Sequence, residues 1–177
     1  LTLSGVNTYA GSTDINAGTL VISQDANLGK AGTGVAINNA TLSLNGSVAV
    51  DRTIALAGTT ATVNTTTGSS SLVKEVSGSA ALVKTGAGTL TLNSANSYTG
   101  DTQITGGTLA IDANDKLGTG TKVTISDATL ALTDTVALNR TLDVTGIATV
   151  DTATGSNSSL DKTVNGSGQL VKTGGVL

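Results

Sequence analysis

The sequence predicts an all-β chain: a right-handed parallel β-helix, or β-solenoid, of about eight coils with no significant α-helix. Three observations predict it. Short runs alternate Leu, Val or Ile with Thr or Ser, as in Thr89-Leu90-Thr91-Leu92, the period-two pattern of a strand with one face buried. The chain also repeats itself at a fixed offset, the mark of stacked repeat architectures. Finally, no stretch keeps the i, i+3, i+4 spacing of an amphipathic helix for more than a turn or two, and Gly, Thr and Val are poor helix formers.

Composition supports a narrow core rather than a round one. The 177 residues include no Phe, Trp, Met, Cys, His or Pro, and Tyr9 and Tyr98 are the only aromatics. Large aromatics bury the most area per residue, so this interior must be built from Leu, Val, Ile and Ala. Apolar runs such as Ala80 to Val83 are far too short to span a bilayer. A net charge of −3, with nine Lys and Arg scattered singly, offers no electrostatic footprint for nucleic acid or anionic lipid. Absent cysteine is compatible with export. Leu1 is not an initiator Met, and the expectation is a piece excised from a longer protein.

The opening stretch, LTLSGVNTYAGSTDINAGTLVI, sets the pattern. A short strand ends at Leu3, an Asn/Gly-rich turn surrounds Tyr9 and Gly11, a second strand centres on Ile15, and a third runs through Leu20 and Ile22. Its near twin is Gly88 to Ile111. Leu3, Tyr9, Gly11, Leu20 and Leu28 align with Leu92, Tyr98, Gly100, Leu109 and Leu117 at one offset of 89. The match continues through Thr41-Leu42 and Thr129-Leu130, Arg52-Thr53 and Arg140-Thr141, and Gly78 and Gly166. It closes with Leu82-Val83-Lys84-Thr85-Gly86 against Leu170-Val171-Lys172-Thr173-Gly174. Single-residue slips fall near Gly32, Thr60, Ser70 and Gly88, in corner-like sequence that tolerates insertion. Two units are therefore expected, residues 1–89 and 90–177, in one continuous solenoid.

In the second unit strand signals fall at Leu90–Leu92, Ile104, Leu109–Ile111, Val123–Ile125, Leu130–Leu132, Leu142–Val144, Thr149–Val150, Val164 and Leu170–Val171. Three strands per coil give roughly four coils per unit, each of about 22 residues. Leu90, Leu92, Ile104, Leu109, Ile111, Leu130 and Leu132 are expected to face inward, with their Thr neighbours outward. Corners should need left-handed backbone at Gly5, Gly11, Gly18, Gly100, Gly106 and Gly107. The rod should be roughly 40 Å long at ~4.8 Å per coil, ending in raw sheet edges.

The spacing G-x-G-T-L-T-L-x-x-x-N-x-Y-x-G-x-T-x-I-x-x-G-T-L-x-I, carried by Gly86, Gly88, Thr89, Leu90, Leu92, Asn96, Tyr98, Gly100, Thr102, Ile104, Gly107, Thr108, Leu109 and Ile111, resembles the autotransporter-associated β-strand repeat of type V secreted bacterial passenger domains. The first copy supplies Leu3, Asn7, Tyr9, Gly11, Thr13, Ile15, Gly18, Thr19, Leu20 and Ile22. Leu28-Gly29 and Leu117-Gly118 continue it. The motif covers about 30 residues of each unit. The resemblance implies a β-helix at the cell surface or outside a Gram-negative bacterium, exported through an outer-membrane β-barrel elsewhere in the polypeptide. It also implies an adhesive stalk whose partners are neighbouring repeats, further copies of itself or a surface ligand, with no nucleic acid. No catalytic residue and no cofactor come with it.

Candidate sites are few. Polysaccharide-cleaving β-helices need clustered carboxylates; Asp112 and Asp115, beside Lys116, are the nearest approach, with Asp25 in a related place. They read first as a solvated corner, then as a weak calcium or catalytic pair. No His supplies a proton carrier near neutral pH. Gly106-Gly107-Thr108 and Gly174-Gly175-Val176 lack the Asp and tandem rhythm of calcium-binding nonapeptides. Thr60 to Thr62, Thr65 to Thr67 and Thr152 to Thr154 suggest an ice-binding Thr array, but the triplets do not recur at every coil. Tyr9 and Tyr98 read as corner packing. Catalytic, cofactor and metal residues are each expected to be none.

Overall fold

A computed structural model describes residues 1–176; Leu177, the last residue of the expected second unit, lies outside the described residues. The path is a three-faced spiral. Every strand pairing among the described residues is parallel, and along each face a strand hydrogen-bonds to its equivalent in an adjacent coil. Along the first face, Leu20, Leu42, Val63, Lys84, Ile104, Ile125, Val144 and Gly166 stack in register. The second face stacks Ser70, Leu90, Leu109, Leu130, Val150 and Lys172. On the third, Ile15, Ile37, Leu56 and Gly78 stack. The spiral makes eight coils plus the start of another, and the expected β-solenoid is what forms.

Burial follows the alternation. All seven residues expected inward, Leu90, Leu92, Ile104, Leu109, Ile111, Leu130 and Leu132, are at most 1% exposed. The core is one continuous column from Ile15 to Val150. Each coil buries too little alone, and stacking shares the burial between neighbours. No α-helix forms among the described residues; the only helical turns are 3-10, Asp25–Leu28 and Asn114–Leu117.

Each unit is roughly the expected four coils but not a whole number of them. A residue and its counterpart at the offset of 87 to 89 lie on different faces: Leu20, Leu42, Val63 and Lys84 form a row of the first face, and Leu109, Leu130, Val150 and Lys172 form the matching row of the second. Likewise Ile15, Ile37, Leu56 and Gly78 of the third face correspond to Ile104, Ile125, Val144 and Gly166 of the first. The offset therefore spans four coils and one further face. Coils are shorter than the expected 22 residues in places, down to the 19 that separate Ile125 from Val144. Some strand positions also carry no alternation and escape a count of strand signals: Asp25–Leu28 and Asn114–Leu117 occupy them.

Four of the expected left-handed glycines are corrected. Gly18 and Gly107 have φ of +68° and +60°, but Gly5, Gly11, Gly100 and Gly106 do not adopt positive φ. At Gly100 the demand is contact rather than conformation, since a Cβ would lie 2.3 Å from the Ala80 carbonyl oxygen of the coil below.

Candidate functional site

The matched stretches build a clamp that spans three coils. In the first copy the Asn7 amide donates to the Ala26 carbonyl at 3.0 Å, and its Nδ2 donates to the Asn27 carbonyl at 2.7 Å. The Tyr9 hydroxyl shares a 2.6 Å hydrogen bond with the Thr13 hydroxyl, while the Tyr9 carbonyl accepts from the Lys30 amide at 2.9 Å. Gly29, with φ +79°, lies on the ring; a Cβ there would approach a Tyr9 ring carbon to 2.7 Å. One coil further on, Arg52 reaches back under the turn. Its Nη2 donates to the Gly29 carbonyl at 2.9 Å and its Nη1 to the Lys30 carbonyl at 2.8 Å.

These bonds answer a backbone problem. The Asp25–Leu28 turn interrupts the ladder of strand hydrogen bonds, and buried carbonyls left unpaired are costly. A planar guanidinium supplies several donors in a fixed fork. Arg52 is itself 1% exposed, and Asp25 neutralises it through a 2.9 Å contact from Nε.

The second copy repeats the geometry. Asn96 donates to Asp115 and Lys116 carbonyls at 3.1 and 2.6 Å. The Tyr98 and Thr102 hydroxyls are 2.8 Å apart, Gly118 with φ +63° lies on the Tyr98 ring, and Arg140 Nη2 donates to the Gly118 carbonyl at 2.6 Å. Burial pushes the Tyr98 hydroxyl up to about 12. At the arginine the copies differ: Asn114 stands where the first has Asp25, and the buried Arg140 Nε has no hydrogen-bond partner.

Between the two halves sits a buried lysine. Lys84 Nζ donates to three carbonyls, Thr85 at 2.9 Å, Gly86 at 3.0 Å and Gly106 of the following coil at 2.9 Å. Burial lowers its pKa to about 8. Sequence reasoning aligned Arg52 with Arg140 and Lys84 with Lys172 but gave none of them a role. The signal was there, since a charged residue placed twice in an apolar row must find paired acceptors.

The other candidates do not assemble. Asp112 and Asp115 are exposed, and Asp112 contacts Lys116 at 3.6 Å. Among the described residues no three His, Cys, Asp or Glu side chains gather as metal ligands. Tyr9 and Tyr98 pack on corners, as expected.

Residues 1–22 and 82–111 match the model of a known family, the passenger-associated-transport-repeat. Over 109 residues, 61% of this chain, the sequence is 38% identical to Adhesin BmaC autotransporter from Brucella suis biovar 1 (strain 1330). The chain spans 3% of that relative's length. No solved structure matches it. Both matches support an autotransporter passenger repeat segment, as the motif residues implied.

Proposed function

We propose that the chain is a stalk segment of an adhesin-type autotransporter passenger displayed at the surface of a Gram-negative bacterium, made of units 1–89 and 90–177, with a structural and non-enzymatic role. One observation carries this reading: family-matched residues direct their polar groups to neighbouring coils of the chain itself. The Asn7, Asn96 and Lys84 side chains donate to backbone carbonyls one coil on, and the Tyr9 and Tyr98 carbonyls accept from the Lys30 and Thr119 amides. Residues selected for stacking serve length and rigidity. Binding along such a rod would come from wide, shallow contacts, with further copies or a surface ligand as partners, and its export from a linked outer-membrane barrel.

A display experiment tests the stalk reading. Removing residues 90–177 from a longer array rejoins equivalent surfaces, so display should persist with shorter reach. Removing Asp101 to Ile111 instead places unlike faces together and turns inward positions outward, and should reduce export or expose the passenger to protease. Equal behaviour of the two deletions sinks the reading. The enzyme alternative would be revived by saccharide cleavage that disappears in Asp112→Asn or Asp115→Asn.

A further inference from the structure

We propose that the Asn45-Gly46 corner is a site of spontaneous covalent modification, where the asparagine side chain closes onto the following peptide nitrogen and converts to aspartate and isoaspartate. The corner turns the chain from the first face to the second, between the buried Leu44 and Val48. It lies within the stack, covered on both sides. The Asn45 amide donates to the Ile22 carbonyl of the coil before at 2.8 Å, and Thr66 of the coil after donates to the Leu44 carbonyl from its amide at 3.1 Å.

Three features open the reaction. The Asn45 side chain is exposed. Among the described residues the Gly46 amide donates to no acceptor. Its φ of +92° is backbone that glycine enters freely, and a Cβ there would have nothing within 4 Å, so the ring has room to close. Finally, Thr66 Oγ1 donates to Asn45 Oδ1 at 3.2 Å. The carbonyl oxygen that must take up negative charge as the bond forms therefore already faces a donor.

The Gly46 nitrogen attacks Asn45 Cγ; the new N–C bond forms as the Cγ–Nδ2 bond breaks. Nδ2 leaves as ammonia with the proton of the Gly46 amide, and a cyclic imide remains. Water then opens the imide. Attack at Cγ restores the original backbone with an aspartate, whereas attack at the Asn45 backbone carbonyl leaves isoaspartate, with the main chain running through Cβ and Cγ. The isoaspartate lengthens the corner by a methylene and displaces the Gly46 carbonyl. That carbonyl accepts from Ser70 Oγ at 3.0 Å, and Ser70 Oγ in turn accepts from the Val48 amide at 3.1 Å. A buried bridge between two coils is thereby broken, while the aspartate product leaves it intact.

Two other places in the chain set the comparison. The second unit has Thr133-Asp134 at the equivalent corner and no amide to lose. The other Asn-Gly pair, Asn165-Gly166, lies inside a strand, with Asn165 paired to Asp143 and Gly166 to Val144, and the ladder opposes ring closure there. The modification does not depend on the stalk reading, and its failure would leave that reading in place.

Incubating the whole chain in warm, mildly alkaline buffer tests it, read by peptide mass spectrometry and an isoaspartyl-specific methyl-transfer assay. Asn45 should convert to aspartate and isoaspartate while Asn165 keeps its amide. Asn45→Gln, with unchanged circular dichroism, should lose the isoaspartyl signal from this corner. Hydrogen exchange over residues 44–48 should quicken in the converted wild type but not in Asn45→Asp, which separates the added methylene from the added charge. If Asn45 keeps its amide in the folded chain while converting in urea, or if Asn165 converts as fast as Asn45 in the folded chain, the inference is overturned.

Discussion

The two clamps differ in the arginine's partner and in their surroundings, and the difference separates what the motif requires from what it tolerates. Both keep the tyrosine, the left-handed glycine on its ring and the arginine beneath the turn. The first pairs its arginine with Asp25, and in these residues its Tyr9 is 39% exposed. The second covers Tyr98 completely yet leaves Arg140 Nε unpaired. Ring packing and carbonyl capping are the shared features, and the carboxylate is an addition. Outward residues diverge further: Asp14, Ala36, Ala55 and Ser77 stack on the third face where their counterparts on the first are Gln103, Thr124, Asp143 and Asn165. What is duplicated is the interior and the clamp.

The largest expected effect sets the two tyrosines apart. Tyr98→Ala should cost about 3–5 kcal/mol, as large aromatic truncations in a packed core do. In a protein of these 177 residues Tyr9→Ala, at a ring 39% exposed, should cost less than half of that. Urea unfolding of both variants measures it, and equal losses would mean the ring does not work through packing between coils.

Next comes the ion pair. Asp25→Asn leaves a buried guanidinium without its counter-charge and should cost ~1.5–3 kcal/mol, the range for hydrogen bonds to charged groups. Asn114→Asp should move the second clamp the other way and raise its stability by a smaller amount, since it gives Arg140 Nε an acceptor. If both substitutions destabilise, Arg140 gains nothing from a carboxylate, since the Asn139 amide, which donates to Asn114 Oδ1 at 3.0 Å, keeps an acceptor in Asn114→Asp.

The smallest effect is a pH slope at the seam between the halves. Lys84 has a folded pKa lowered from 10.5 to about 8, so between those values the unfolded chain binds more protons and stability rises with pH. Tyr98, raised from 10.0 to about 12, acts oppositely above pH 10. The window is therefore about pH 8 to 10, where thermal midpoints should rise and Lys84→Met should flatten the rise. An unchanged slope in that variant would place the titration elsewhere.

Much of this was legible in the sequence. Alternation gave the inward set because a strand has a strict period of two, and the offset revealed duplication because turn glycines recur with the apolar rows. The extra third of a coil was not legible. Asp25–Leu28 and Asn114–Leu117 occupy strand positions as 3-10 turns, so their sequence shows no alternation to count. Gly100 and Gly106 were misread for a related reason: close approach of the next coil and left-handed backbone both select glycine, and sequence alone does not distinguish them. The arginine clamp joins residues 22 or more apart through backbone carbonyls, which carry no sequence signature.

The central claim is a stacked solenoid in which each unit is turned one face from the last, and distances between paired spin labels test it most directly. Thr41 and Thr124 lie on one face, linked in register through Thr62, Val83 and Gln103. At ~4.8 Å per coil they stand roughly 19 Å apart. Thr129, the sequence counterpart of Thr41, stacks between Thr108 and Thr149 on a neighbouring face. Labels at 41 and 124 should give the shorter distance, and labels at 41 and 129 the longer one. The reverse order would put counterparts on the same face, make the unit a whole number of coils and contradict the account.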